Sequence, residues 1–228
     1  VIAWYKKRYE VILEDDEICS LLGSQEGLAH LAMTLINDSD IVLVPNPSYP
    51  IFKDGPLLAN ANIVDMPLKE ENNYLIDFDK IDPTIAKKAK FMIVSYPNNP
   101  TCAIANDKFY LRLIDFAKKY QIIVLHDNAY SELLFEGLGR SFLSYPGAKD
   151  VGIEFNSLSK TYGLAGARIG FAVGNKAIIE QLKTLKSNMD YGMFLPVQKA
   201  AIAAITGDQS CVEETRRAYE SRRNALCD

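Results

Sequence analysis

The apolar residues of this chain keep changing their spacing, and each change marks an element. Short continuous apolar runs at 41–44, 61–67, 91–95, 122–125 and 169–173 have the length and composition of buried strands, and a sixth begins at Val151 and ends at Asn156. Between them the period lengthens to that of helices. Positions 1, 2, 5 and 9 share one helical face, and an apolar run predicts a helix from Ser24, as its capping residue, to about Ile36. Positions 109, 113, 116, 117 and 120 form a stripe that Asn106 or Asp107 can cap, and 177–188, 196–206 and 210–226 read as three more helices, with Pro196 in a first turn. Strand, helix and strand from 91 to 125 predict a parallel pair, so the fold class is α/β. The stretches 68–82 and 132–151 read mostly as polar connections.

With 228 residues, 48% of them apolar, the chain is long for one domain and short for two, which predicts one large domain plus a remnant. The net charge of -4 and the lack of long like-charge blocks give no support to a nucleic-acid or membrane-surface role. Cys19, Cys102, Cys211 and Cys227 are scattered, without metal-ligand spacing, so neither a metal nor a disulfide framework is expected and a reducing, cytoplasmic setting is. No run reaches the length of a membrane span, and residues 1–7 lack a signal-peptide core. Without an initiator Met, the chain reads as a portion that starts inside a helix.

The chemistry centres on Ser157-Leu158-Ser159-Lys160-Thr161-Tyr162-Gly163-Leu164-Ala165-Gly166-Ala167-Arg168-Ile169-Gly170. A strand ends at Asn156, and the glycines after it predict a loop rather than a helix. Two readings fit the lysine. It is a solvated loop residue beside a capping serine, or it is an amine that binds a phosphate-bearing carbonyl compound as a Schiff base, with Ser157, Ser159 and Arg168 close in sequence. Gly23-Ser24-Gln25-Glu26-Gly27 opens a helix, which is either a plain N-cap or an anion site. Tyr49 projects from a loop stiffened by Pro45, Pro47 and Pro50. Asn99 lies in Tyr96-Pro97-Asn98-Asn99-Pro100-Thr101-Cys102, a stretch of turn residues after a strand. Asp127 ends a buried strand, where a carboxylate needs a cation, and Tyr130 follows. His126 reads as a packed, hydrogen-bonded histidine, and His30 carries no evident chemistry.

These stretches resemble, in order, the motifs of the class I/II aminotransferases of fold type I, and the likeness covers nearly all of the chain. The lysine segment resembles the family's lysine signature over fourteen positions, Asn99-Pro100-Thr101 its Asn-Pro-Thr-Gly motif, and Asp127-Asn128-Ala129-Tyr130 its Asp-x-Ala-Tyr. Among family branches the bacterial diaminopimelate type is nearest, beside the aspartate and alanine types, although Gly163 and Ala167 depart from it. The resemblance implies a three-layer fold with a mostly parallel sheet flanked by helices. Residues 1–206 would form the large cofactor domain without its N-terminal arm, and 207–228 would start the interdomain helix toward a largely absent small domain.

The implied cofactor is pyridoxal 5'-phosphate. Lys160 would hold it as a Schiff base and then move the substrate Cα proton. Asp127 would pair with the ring nitrogen, Tyr130 and Asn99 with the phenolic oxygen, and Tyr49 with the ring face. Ser24, Gln25, Ser157, Ser159 and Arg168 would hold the phosphate. A cis bond is implied at Asn99-Pro100, and Cys102 replaces the usual glycine. The implied partners are an amino acid, a 2-oxo acid and a second subunit of a homodimer. A lyase or decarboxylase of the same fold and a cofactor-binding sensor domain of a transcription regulator remain open. Ser157-x-x-Lys160 also matches a serine acyl-enzyme motif, but its companion motifs are missing.

Overall fold

The computed structural model describes residues 1–227, so the last residue of the 207–228 segment, Asp228, lies outside the described residues. In chain order the elements are α1 (Ile2–Tyr9), β1 (Ile18–Leu21), α2 (Ser24–Leu35), β2 (Ile41–Asn46), α3 (Ile51–Leu58), β3 (Asn62–Pro67), α4 (Pro83–Ala86) and β4 (Ala89–Ser95). They continue with α5 (Asp107–Tyr120), β5 (Ile123–Asp127), α6 (Ala148–Val151), β6 (Gly152–Ser157), α7 (Leu158–Thr161) and β7 (Gly170–Gly174). Helices α8 (Lys176–Met189), α9 (Leu195–Thr206) and α10 (Ser210–Cys227) complete the described chain. The strands form one sheet in the order β1-β7-β6-β5-β4-β2-β3. The pairs from β6 through β3 are parallel, whereas β7 runs antiparallel to both β6 and β1.

Alternation along each strand divides the core in two. Val42 and Val44 of β2, Phe91 and Ile93 of β4, and Leu125 of β5 face one side, where they pack with Leu28 and Leu31 of α2, Phe52 of α3 and Leu182 of α8. Leu43, Met92, Val94 and Val124 face the other, with Tyr5 and Tyr9 of α1 and Leu113 and Ile114 of α5. Both faces are covered, which is why the strands read as nearly continuous apolar runs.

Four local features differ from the reading of the sequence. Strand β2 runs on through Pro45 to Asn46, because β4 pairs only with Ile41–Leu43 and the missing N–H costs no ladder bond on that side. Ser24 is the first residue inside α2, and Gly23 at φ 85° holds the cap position, where it makes no side-chain cap. Strand β6 extends through Ser157, and Lys160 then sits in the single helical turn α7 rather than in a loop. The Ser157 hydroxyl accepts the N–H of Ser159 at 3.2 Å and caps that turn, while Gly163 and Gly166 lie beyond it. Helix α3 and strand β1 add elements that periodicity did not mark.

Candidate active site

The parallel strands point their C-terminal ends at one edge of the sheet, the position where open α/β sheets gather ligands. Asp127 closes β5, Asn99 follows β4 and Lys160 follows β6. All ten site residues expected from the sequence line a single cavity at this edge: Ser24, Gln25, Tyr49, Asn99, Asp127, Tyr130, Ser157, Ser159, Lys160 and Arg168. Ala129, the alanine of the Asp-x-Ala-Tyr match, and Ala165 complete the lining, with no side-chain chemistry to single them out.

One end of the cavity is acidic. Asp127 is buried, and its Oδ1 has no hydrogen-bond partner. Burial first, and then the negative charge of Glu154, push the Asp127 carboxyl up to about 7. Among the described residues no cation pairs with it. At the rim the Tyr130 hydroxyl lies 3.5 Å from the Asn99 amide nitrogen, and its pKa is raised by burial and by Asp127. The Asn99-Pro100 bond is cis, and Cys102 adopts φ 57°.

A cysteine in that left-handed region carries strain that glycine would not. Replacing Cys102 by glycine is therefore expected to stabilise the protein by roughly 0.5–1 kcal/mol, read as a rise in the unfolding midpoint. An unchanged or lower midpoint would mean that the cysteine sits in the turn without strain.

The opposite end is built from donors. The Arg168 guanidinium gives hydrogen bonds to Ala165 O at 2.9 Å and Leu22 O at 3.3 Å, which sets it across the start of α2. There the first helical N–H groups and the dipole favour an anion. Two glycines make this approach possible. A Cβ on Gly170 would come within 2.6 Å of Asn156 O and 3.0 Å of Ser24 N, and one on Gly23 would meet the Arg168 Nη2 at 2.5 Å. Glu26 braces the same turn from within, accepting the Leu22 N–H at 2.6 Å and pairing with buried Lys186 at 2.8 Å. Tyr49 donates to Gln25 Oε1 at 3.1 Å, so the aromatic ring is tied to the donor end.

Gly23→Ala should displace the guanidinium and weaken inorganic phosphate or phosphorylated ligands about tenfold or more, with little effect on ligands that lack a phosphate. An equal loss for both kinds of ligand would point to general disruption of the α2 start.

An unpartnered carboxylate, a set of phosphate-type donors and the amine of the exposed Lys160 line one pocket, which suits pyridoxal phosphate. The family model for aminotransferase class I and II matches residues 1–228, and the chain belongs to that family, of fold type I, whose cofactor is pyridoxal 5'-phosphate. The chain is 50% identical to the LL-diaminopimelate aminotransferase of Halothermothrix orenii, a match that covers 100% of this chain and 59% of the relative. Against the protein of that name from Aquifex aeolicus the identity is 46%, with the same coverage. Substrate-bound BacF from Bacillus subtilis superposes with a TM-score of 0.97 at 43% identity, over 99% of this chain and 58% of that one. A probable N-succinyldiaminopimelate aminotransferase from Thermus thermophilus gives 0.93 at 34%, over 97% and 60%. The chain thus spans about three-fifths of the length of the curated relatives it matches.

Among the described residues, no helix is long and apolar enough to cross a membrane, and no group of three or more His, Cys, Asp or Glu could hold a metal.

Proposed function

We propose that this chain is the cofactor-binding part of a pyridoxal phosphate-dependent aminotransferase that moves an amino group between an amino acid and a 2-oxo acid. The observation that carries the reading is the presence, in one cavity, of the Lys160 amine and a buried Asp127 carboxylate whose Oδ1 has no partner among the described residues. A protonated ring nitrogen fits that oxygen, and a phosphate fits the donors of Ser24, Gln25, Ser157, Ser159 and Arg168.

When bound, the cofactor supplies an aldehyde for an amine and a ring that accepts electrons. The chain's own residues do the rest. Lys160 Nζ would be the nucleophile and, once free, would carry the Cα proton. Asp127 would hold the ring nitrogen protonated. Tyr130 and Asn99 would donate to the phenolic oxygen, and Tyr49 would lie against the ring. The reading extends to the whole protein as a homodimer acting in the cytoplasm, in which residues 1–206 form the large domain and 207–228 begin the helix that leads to a small domain.

The names of the most similar relatives favour LL-diaminopimelate as amino donor. The test is a screen of amino donors on the full-length protein, with loss of the cofactor's visible absorbance as the signal and Lys160→Ala as control. LL-diaminopimelate should bleach it and produce the matching 2-oxo acid. Bleaching by other donors alone would reject the substrate, carbon dioxide or ammonia release would indicate a decarboxylase or lyase, and no change with any donor would favour a sensor domain.

A further inference from the structure

Beneath the cavity, on the far side of the sheet from Asp127, lies a second carboxylate that the reaction described above does not use. Glu154 of β6 is fully buried, and four donors converge on it. The Tyr5 hydroxyl of α1 and the Ser141 hydroxyl each reach Oε1 at 2.8 Å, while the Phe142 N–H reaches Oε2 at 2.7 Å and His126 Nδ1 lies 3.1 Å from Oε2. Such a set of donors suits a carboxylate anion. The His126 ring is pinned on its other side too, with Nε2 3.3 Å from the Tyr110 hydroxyl. Both ring nitrogens are thus engaged, one by the Tyr110 hydroxyl and the other by the Glu154 carboxylate. Among the described residues no Lys or Arg pairs with Glu154.

The register brings that charge to the site. His126 pairs with Glu154 across the β5–β6 ladder and Asp127 with Phe155 one step on, on strands about 4.8 Å apart. We propose that Glu154 is a positioning residue that keeps one proton resident at the Asp127 end of the cavity, so that a ring nitrogen seated there stays protonated.

In the free protein Asp127 holds that proton below about pH 7. With a pyridine ring in place it would be shared between the Asp127 carboxylate and the ring nitrogen, and the total count would be unchanged. The groups that face Asp127 are Glu154 behind it, Tyr130 beside it, and Lys160 and Arg168 elsewhere in the cavity wall, none of them paired with it. Those that face Glu154 are Tyr5 and Tyr9 of α1, Tyr110 of α5, and His126 and Asp127 of β5. Burial keeps the three tyrosines neutral, and among the described residues no Lys or Arg pairs with Glu154, so its charge acts on Asp127 across the sheet. Tyr5 and His126 also tie α1 and β5 to the same carboxylate, which holds the Asp127 backbone in register.

The inference rests on pyridoxal phosphate as the ligand only in its second half, and the experiment separates the two. In full-length apoprotein labelled with 13C-carboxyl aspartate, and with Asp127→Asn to assign the signal, Asp127 should titrate near neutrality. Glu154→Gln should lower its midpoint by about one unit, a tenfold change in the proton equilibrium. Tyr5→Phe loosens the same knot without removing the charge and should leave the midpoint in place. Pyridoxal phosphate affinity, followed by absorbance from pH 6 to 9, should weaken at lower pH in Glu154→Gln than in the parent.

A parent midpoint in the ordinary carboxylate range overturns the proposal even if Glu154→Gln does not fold. So does a midpoint that Glu154→Gln leaves unmoved, or one that Tyr5→Phe moves as far, since the role would then be structural alone. If the parent failed to bind pyridoxal phosphate, the functional reading would fall, and the apoprotein titration would still decide the role of Glu154.

Discussion

Replacing Asp127 by asparagine is expected to make the apoprotein more stable at pH 8 and the enzyme far less active. Both effects follow from one buried carboxyl. In the folded chain it releases its proton at about 7, and unfolded it would do so near the usual value of about 3.9. The folded state therefore binds more protons than the unfolded state between those limits. The associated stability is fully present below about pH 4, falls as pH rises through that window, and is lost above 7, a cost on the order of a few kcal/mol. Asparagine has no such titration, so its advantage should be present at pH 8 and vanish near pH 4. Denaturant unfolding of the two apoproteins at both pH values measures it, and an asparagine variant less stable than the parent at pH 8 would contradict the account. In the holoenzyme the sign reverses, because a ring nitrogen would lose its anionic partner. Activity should fall on the order of 10²–10³-fold, as when other preorganised charges are removed.

The second large effect is expected at Lys160. Alanine there removes both the nucleophile and the proton carrier, and kcat/KM should fall by roughly 10⁴-fold or more. The donors at Ser24, Ser157, Ser159 and Arg168 remain, so the variant should still take up pyridoxal phosphate without linking it covalently. Borohydride treatment followed by denaturation reads the difference: label is retained on the parent and lost from the variant. Lys160 is exposed, and the substitution should move stability by no more than about 0.5 kcal/mol. Retained activity with loss of covalent label would assign proton transfer to another group.

Much of this architecture could be read from the residues. The strands that carry Asn99, Asp127 and Lys160 are apolar on both faces, so their runs stand out, and a polar residue at the end of such a run is costly enough to attract notice. Other parts had no local signature. Helix α3 contains Gly55 and Pro56, which weaken any helical pattern, and it forms because Phe52 buries fully against α2. The turn at Lys160 depended on a cap from Ser157 that propensity alone undervalued. Glu154 receives donors from residues 5, 126, 141 and 142, a grouping that exists only once α1 lies across β5 and β6. Reading along the chain gave no reason to gather them.

The edge strand β1 has a consequence for synthesis. Its ladder partner is β7, so Ile18 must wait for Val173 before it can join the sheet. The phosphate end of the pocket hangs on that late closure, because Ser24 follows β1 closely while Arg168 comes just before β7 and Gly170 opens it. During translation the acidic end can therefore assemble while Ser24 and its neighbours still wait for their strand partner to emerge. A nascent chain halted short of Arg168 would carry the carboxylate of the site without the partner that anchors a phosphate, and such long-range pairing makes the last step slow relative to local helix formation.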